Sequence, residues 1–109
     1  MPIDDLPDDF VPDALSSKWQ LIDDPSDSEL FEGELRREVS RGHQLWEVRT
    51  RVVAVRNLRK EAIYWLPTTK RWAWVHLTWT PETLAQVPST FVCESWAGLL
   101  IELADADRA

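Results

Sequence analysis

The chain has 109 residues, of which 44% are apolar and 28% charged, with a formal net charge of −7. That length supports one hydrophobic core and excludes two of ordinary size, and the composition excludes a chain too polar to fold. The lone cysteine, Cys93, excludes an internal disulfide and a cysteine-based zinc site.

The charge is divided along the chain: residues 1–34 carry −10, residues 35–72 carry +7 and residues 73–109 carry −4. Such asymmetry points to a charged partner or to self-neutralisation. Met1 to Phe10 holds Asp4, Asp5, Asp8 and Asp9 and lacks the positive and apolar regions of a secretory signal. No apolar run approaches the roughly 18–20 residues of a membrane-spanning helix. A cytoplasmic protein with no membrane contact is expected.

Residues 1–28 are rich in proline and aspartate, which disfavour helix and favour extended or irregular chain. Residues 1–14 are expected to form a flexible acidic head, with Trp19, Leu21 and Ile22 as the piece that docks. A helix capped by Asp27 or Ser28 is predicted through Leu30, Phe31, Leu35 and Val39. Its acids come first, Arg36, Arg37 and Arg41 come last, and Gly42 follows its end. Period-two alternation then predicts a strand over Leu45–Arg56, with Trp46, Val48, Thr50, Val52 and Ala54 on one face and Arg49, Arg51, Val53 and Val55 on the other.

A turn at 56–60 leads to a strand over Glu61–Leu66, and the loop Pro67–Lys70 joins it to another over Arg71–Trp79. A four-residue loop pairs Leu66 with Arg71, Trp65 with Trp72, Tyr64 with Ala73 and Ile63 with Trp74. One face of the hairpin then shows Ile63, Trp65, Trp72, Trp74 and His76, and the other Ala62, Tyr64, Ala73, Val75, Leu77 and Trp79. Both faces are apolar, so both need a cover. The smoother one suits the two helices. The tryptophan face is the candidate contact surface, unless the amino-terminal segment folds back over it. A loop over Thr80–Pro88, an edge strand over Thr90–Cys93 and a helix capped by Ser95 complete the chain. That helix buries Trp96, Leu99, Leu100 and Leu103, and residues 105–109 form a loose tail. The fold class is α+β: an antiparallel sheet of three to four strands packed against two helices, in one domain spanning residues 15–104.

Chemistry is thin. His43, His76, Cys93 and carboxylates are present, but no ligand spacing, glycine-rich phosphate loop or nucleophile motif accompanies them, so no cofactor or metal is expected. His43 suits the last helix carbonyls and His76 a partly buried strand position. Arginines near Trp72 and Trp74 suit nucleic acid, which the net negative charge opposes.

The run Glu34-Leu35-Arg36-Arg37-Glu38-Val39-Ser40-Arg41-Gly42-His43, and the later Val75-His76-Leu77-Thr78-Trp79, resemble a group of short bacterial proteins of unknown function. The resemblance covers residues 30–104. It implies a compact domain and no particular activity.

The residues fit a non-enzymatic protein-binding module, in its concrete form an immunity-like or inhibitor protein acting on a basic partner. Its contacts would be Ile63, Trp65, Trp72, Trp74 and His76 with Asp4, Asp5, Asp8, Asp9, Asp23, Asp24 and Asp27. One alternative is self-association through the tryptophan face; another is a small enzyme using His76 or Cys93.

Overall fold

A computed structural model describes residues 6–80 and 87–108. A five-stranded antiparallel sheet runs in chain order: β1 (Gln20–Leu21), β2 (Arg51–Arg56), β3 (Glu61–Leu66), β4 (Arg71–His76) and β5 (Thr90–Cys93). Helix α1 (Pro25–Glu38) covers one face and α2 (Trp96–Arg108) the other. The α+β class holds. The sheet gains β1, a two-residue strand too short to show a period.

The β3–β4 hairpin has the register read from its loop length: Leu66 opposes Arg71, Trp65 opposes Trp72, Tyr64 opposes Ala73 and Ile63 opposes Trp74. Lys70 closes the turn with its N–H on the Leu66 carbonyl (2.8 Å) and a left-handed φ of 62°. The two faces separate as the pairing demands. Ala62, Tyr64, Ala73, Val75 and Leu77 pack under Phe31 and Leu35 of α1, and the Tyr64 hydroxyl donates to the Phe31 carbonyl (2.8 Å).

The opposite face meets the alternative, an amino-terminal segment folded back over it, through Trp19, and α2 joins that cover. Ile63, Trp65, Trp72 and Trp74 are buried, none of them above 7% exposed, beneath Trp96, Leu99 and Leu103 of α2 and Trp19 of the amino-terminal segment. The two helices therefore sandwich the sheet instead of sharing its smoother face. A sheet apolar on both sides is stable only as the middle of three layers.

The amino-terminal segment is part of that layer. Expected to be flexible up to residue 14, it packs Leu6, Phe10 and Leu15 against the tryptophan core. Phe10 meets Trp96 edge-on at 4.8 Å and Trp72 at 5.5 Å, and Trp96 Nε1 donates to the Val11 carbonyl (3.2 Å).

β2 also differs. Residues 45–47 form turns and the strand starts at Arg51. Val52 opposes Tyr64 and Ala54 opposes Ile63, so Val53 is an extra residue in a β-bulge. The bulge shifts the phase: Val52 and Val55 face α1, while Val53 and Ala54 face α2. The run Val-Val-Ala-Val contains no polar residue to fix which side is which, so alternation alone could not locate the slip.

Helix α1 begins earlier than Asp27. Asp24 is the cap, its Oδ1 accepting from the Ser26 N–H (2.7 Å), and Pro25 occupies the first helical position, where a missing N–H costs nothing. The helix closes at Glu38, so Gly42 (φ 100°) serves the following turn and not the helix end. Helix α2 has the expected cap, Ser95 Oγ accepting from the Gly98 N–H (2.9 Å), but it runs on through Arg108. Arg56 holds that last turn. It is buried, with Nε on Glu61 Oε1 (3.1 Å), Nη1 on Asp107 Oδ1 (3.0 Å) and its guanidinium over the Trp19 ring (4.4 Å).

Replacing Phe10 with alanine separates a packed amino-terminal segment from a free one. The packing predicts a loss of about 2 kcal/mol, below the 3–5 typical of a fully buried Phe because the ring is only partly covered. Urea denaturation at constant slope measures it; an unchanged midpoint would mean that the segment does not pack.

Candidate binding surface

The tryptophan face is interior, so Ile63, Trp65, Trp72 and Trp74 are not an open contact surface: α2 and Trp19 already occupy the place of a partner. His76 lies at the margin with its side chain half exposed, the ring 5.1 Å from Trp74 and Nε2 3.9 Å from Glu61 Oε1. The Glu61 carboxylate is already committed to Arg56, Trp74 Nε1 (2.9 Å) and Asn57. Its Oε1, the oxygen nearest His76, already accepts from both Arg56 and Trp74.

His76 and Cys93 do not meet. Cys93 pairs with Trp72, four residues along β4 from His76 and roughly 13 Å away at the rise of a strand. Its thiol is pushed above the ordinary cysteine range by burial and donates to the Ser95 carbonyl (3.4 Å), so it is held as a thiol, which is not the nucleophilic form. His43 is buried. Its Nδ1 accepts from the Leu45 N–H (3.0 Å), which puts the ring proton on Nε2, donated to the Pro88 carbonyl (2.9 Å). It pins two loops together and does not bond the end of α1. Among the described residues no cluster of His, Cys, Asp or Glu could hold a metal.

A buried acidic pair escaped the sequence reading. Glu34 and Glu38 lie one helical turn apart on the same side of α1 as Phe31 and Leu35, and both are buried. Glu38 Oε1 accepts from the Thr78 N–H (2.7 Å) and Oε2 from the Trp79 N–H (2.6 Å), fixing the backbone where Trp79 takes a left-handed φ of 60°. Burial and the neighbouring Glu34 carboxyl push the Glu38 pKa up to about 7. The signal was present in the spacing: positions 31, 34, 35 and 38 share one helix stripe.

Outside the core, a surface beside β1 combines acidic groups with apolar area. The amino-terminal segment, β1 and the bulged part of β2 enclose a groove of about 650 Å³. Its apolar lining comes from Leu6, Phe10, Leu21, Ile22, Val52 and Val53, and Asp8, Asp23 and Arg51 also border it. Leu21 is 47% exposed there. Asp8 and Asp23 are thus brought to one place from fifteen residues apart in sequence. Asp9 and Asp27 are exposed, Asp24 is spent on the α1 cap, and Asp4 and Asp5 lie outside the described residues, as does most of the expected loop 80–88. Leu6, Phe10, Leu21 and Ile22 were visible only as isolated positions in a proline- and aspartate-rich stretch, and Val52 and Val53 only as strand residues; their convergence depends on β1, which sequence alone did not reveal.

No protein-family model, curated protein or solved structure matches this chain. Among the described residues no helix is long and apolar enough to cross a membrane.

The Glu38 carboxyl makes stability depend on pH with a defined sign. Its pKa rises from about 4.5 unfolded to about 7 folded, so between those values the folded chain binds more protons. Stability from this group is therefore fully present below about pH 4.5, falls as pH rises toward about 7, and is level above. The expected result is a urea-midpoint difference between wild type and Glu38→Gln that changes across this window. Glu38→Gln should also be less stable at every pH, since an amide offers one acceptor to two N–H donors. A pH-independent difference would contradict the assignment.

Proposed function

We infer that this protein is a non-enzymatic protein-binding module, of the inhibitor or immunity-like kind, that engages a basic partner through the groove between its amino-terminal segment and β1. The observation that carries this reading is the meeting of Asp8 and Asp23 around an apolar groove beside the exposed Leu21. An apolar side chain in such a groove supplies area removed from water, and flanking lysines or arginines on the partner meet the aspartates. The acidic first third of the chain, at −10, attracts such a partner at long range.

Among the described residues, several groups that could serve as nucleophile or base are engaged in other contacts, which favours binding over catalysis. Cys93 is a half-buried thiol with its pKa pushed up, Glu61 accepts from Arg56, Trp74 and Asn57, and both Glu38 oxygens hold backbone N–H groups. A dimer through the tryptophan face would first have to displace α2 and Trp19.

The test uses an alternating lysine–leucine peptide as probe and its glutamate–leucine counterpart as control, read by amide chemical shifts. The lysine peptide should perturb Leu21, Ile22 and their groove neighbours and bind about tenfold more weakly to Asp8→Asn/Asp23→Asn at low salt. That difference should shrink as salt rises from about 50 to about 300 mM. Perturbations spread over all acidic surfaces, or equal binding of both peptides, would refute the groove.

A further inference from the structure

We propose that the cleft between α1 and the entry to β2 is a binding site for a phosphate group, held by Arg51 together with Arg36 and Arg49. Arg51 Nη1 is buried and has no hydrogen-bond partner among the described residues. A charged donor left desolvated and unpaired is costly, so such a group calls for an acceptor that the chain itself does not supply. Acceptors stand close by. Asp23, Glu29 and Glu32 line the same cleft, of about 640 Å³, yet none of them pairs with Arg51. Glu32 directs its Oε2 at the Val52 N–H instead (3.0 Å).

Two more arginines share the cleft. Arg36 follows Glu32 by one helical turn on α1, and Arg49 precedes Arg51 by two residues where the chain enters β2. Among the described residues neither Arg36 nor Arg49 makes a side-chain hydrogen bond or ion pair. Burial pushes the Glu32 pKa up, against the Val52 bond and the positive charges of Arg36 and Arg51, so both guanidiniums lie near enough to act on that one carboxyl. The single carboxylate does not occupy them: its hydrogen bond goes to the strand backbone. The positive middle of the chain, +7 over residues 35–72, thus has a local focus.

The donor chemistry selects the ligand. Guanidinium N–H groups form a planar fork that meets paired oxygens, and one fork satisfies a carboxylate, whereas the several oxygens of a phosphate serve more than one. Arg51 supplies the desolvated donor, and Arg36 and Arg49, both exposed, add charge from the water side. Asp23 and Glu29 are exposed as well, and with the net charge of −7 they oppose an anion at long range. That opposition grows with the length of a polyanion and is screened by salt, so the fitting ligand is a small phosphate and not a nucleic acid strand. Arg51 also borders the groove assigned above to a basic partner, but the phosphate site does not depend on that assignment.

The test titrates the full chain with inorganic phosphate, glycerol 3-phosphate and, as control, acetate at matched ionic strength, following backbone amides and the Arg51 side-chain Nε–H by NMR. Phosphate should shift the Arg51 Nε–H and the amides of residues 49–51 with a Kd of about 1 mM, while the amide of Lys70, at an exposed basic turn, stays nearly still. Acetate should bind at least about tenfold more weakly. Tighter binding of glycerol 3-phosphate than of inorganic phosphate supports the site with an esterified phosphate as its source, and the reverse order supports it with free phosphate. Arg51→Met should weaken phosphate at least about tenfold, and so should Arg36→Gln/Arg49→Gln, whose exposed positions leave the fold intact should Arg51→Met disturb it. Asp23→Asn separates the two assignments, since it should strengthen phosphate binding and weaken the lysine peptide. No shift at Arg51, equal shifts at Arg51 and Lys70, acetate binding as tightly as phosphate, or a folded variant that binds like wild type would each overturn the site. Any of these results alongside normal lysine-peptide binding would remove the phosphate site and leave the groove.

Discussion

The Trp72 indole is the point on which one half of this structure rests. Its ring lies 4.8 Å from Trp65, 4.7 Å from Trp96 and 5.5 Å from Phe10, so a strand neighbour, α2 and the amino-terminal segment converge on one side chain that is itself 1% exposed. Burying an indole removes some 200 Å² from water, worth about 5 kcal/mol at the usual area coefficient, and the ring pairs add to that. Without Trp72, the third layer of the sandwich loses its centre.

Charged groups set the edges of that layer and of its opposite. Arg56 ties the last turn of α2 to the β2–β3 turn and lies against Trp19, while the Arg56 guanidinium holds the Asp107 carboxyl below its ordinary range. On the α1 side, Glu38 binds the backbone that leaves β4. Buried charges are poor sources of net stability, but removing one partner is expensive, and that asymmetry selects a single arrangement. Here both networks sit where the chain leaves a strand or a helix ends.

How much of this was legible depended on whether local pattern or distant contact decides. The β3–β4 register followed from a four-residue loop, the α2 stripe from the i, i+3, i+4, i+7 spacing of Trp96, Leu99, Leu100 and Leu103, and β5 from a β-branched and aromatic run. The fully apolar hairpin announced that two covers exist but not which element supplies each. Trp19 was read as a docking residue, but that α2 and Phe10 join it on the tryptophan side is a tertiary fact invisible in their own neighbourhood. The β2 bulge was hidden for the opposite reason, since every residue from Val52 to Val55 is equally suited to either face. The candidate groove was the least legible, because Asp8, Asp23 and Leu21 border it only once β1 has paired with β2.

The central claim is that the tryptophan side of the sheet is closed by the chain itself, so that contact with other molecules must occur elsewhere. Hydroxyl-radical footprinting of the native protein, read residue by residue by mass spectrometry, tests it most directly. Trp46, 38% exposed, should be oxidised fastest, with Trp65, Trp72, Trp74 and Trp96 protected to a similar degree. Oxidation of Trp72 and Trp74 at the rate of Trp46 in the folded protein would show that face to be open, and would contradict the account.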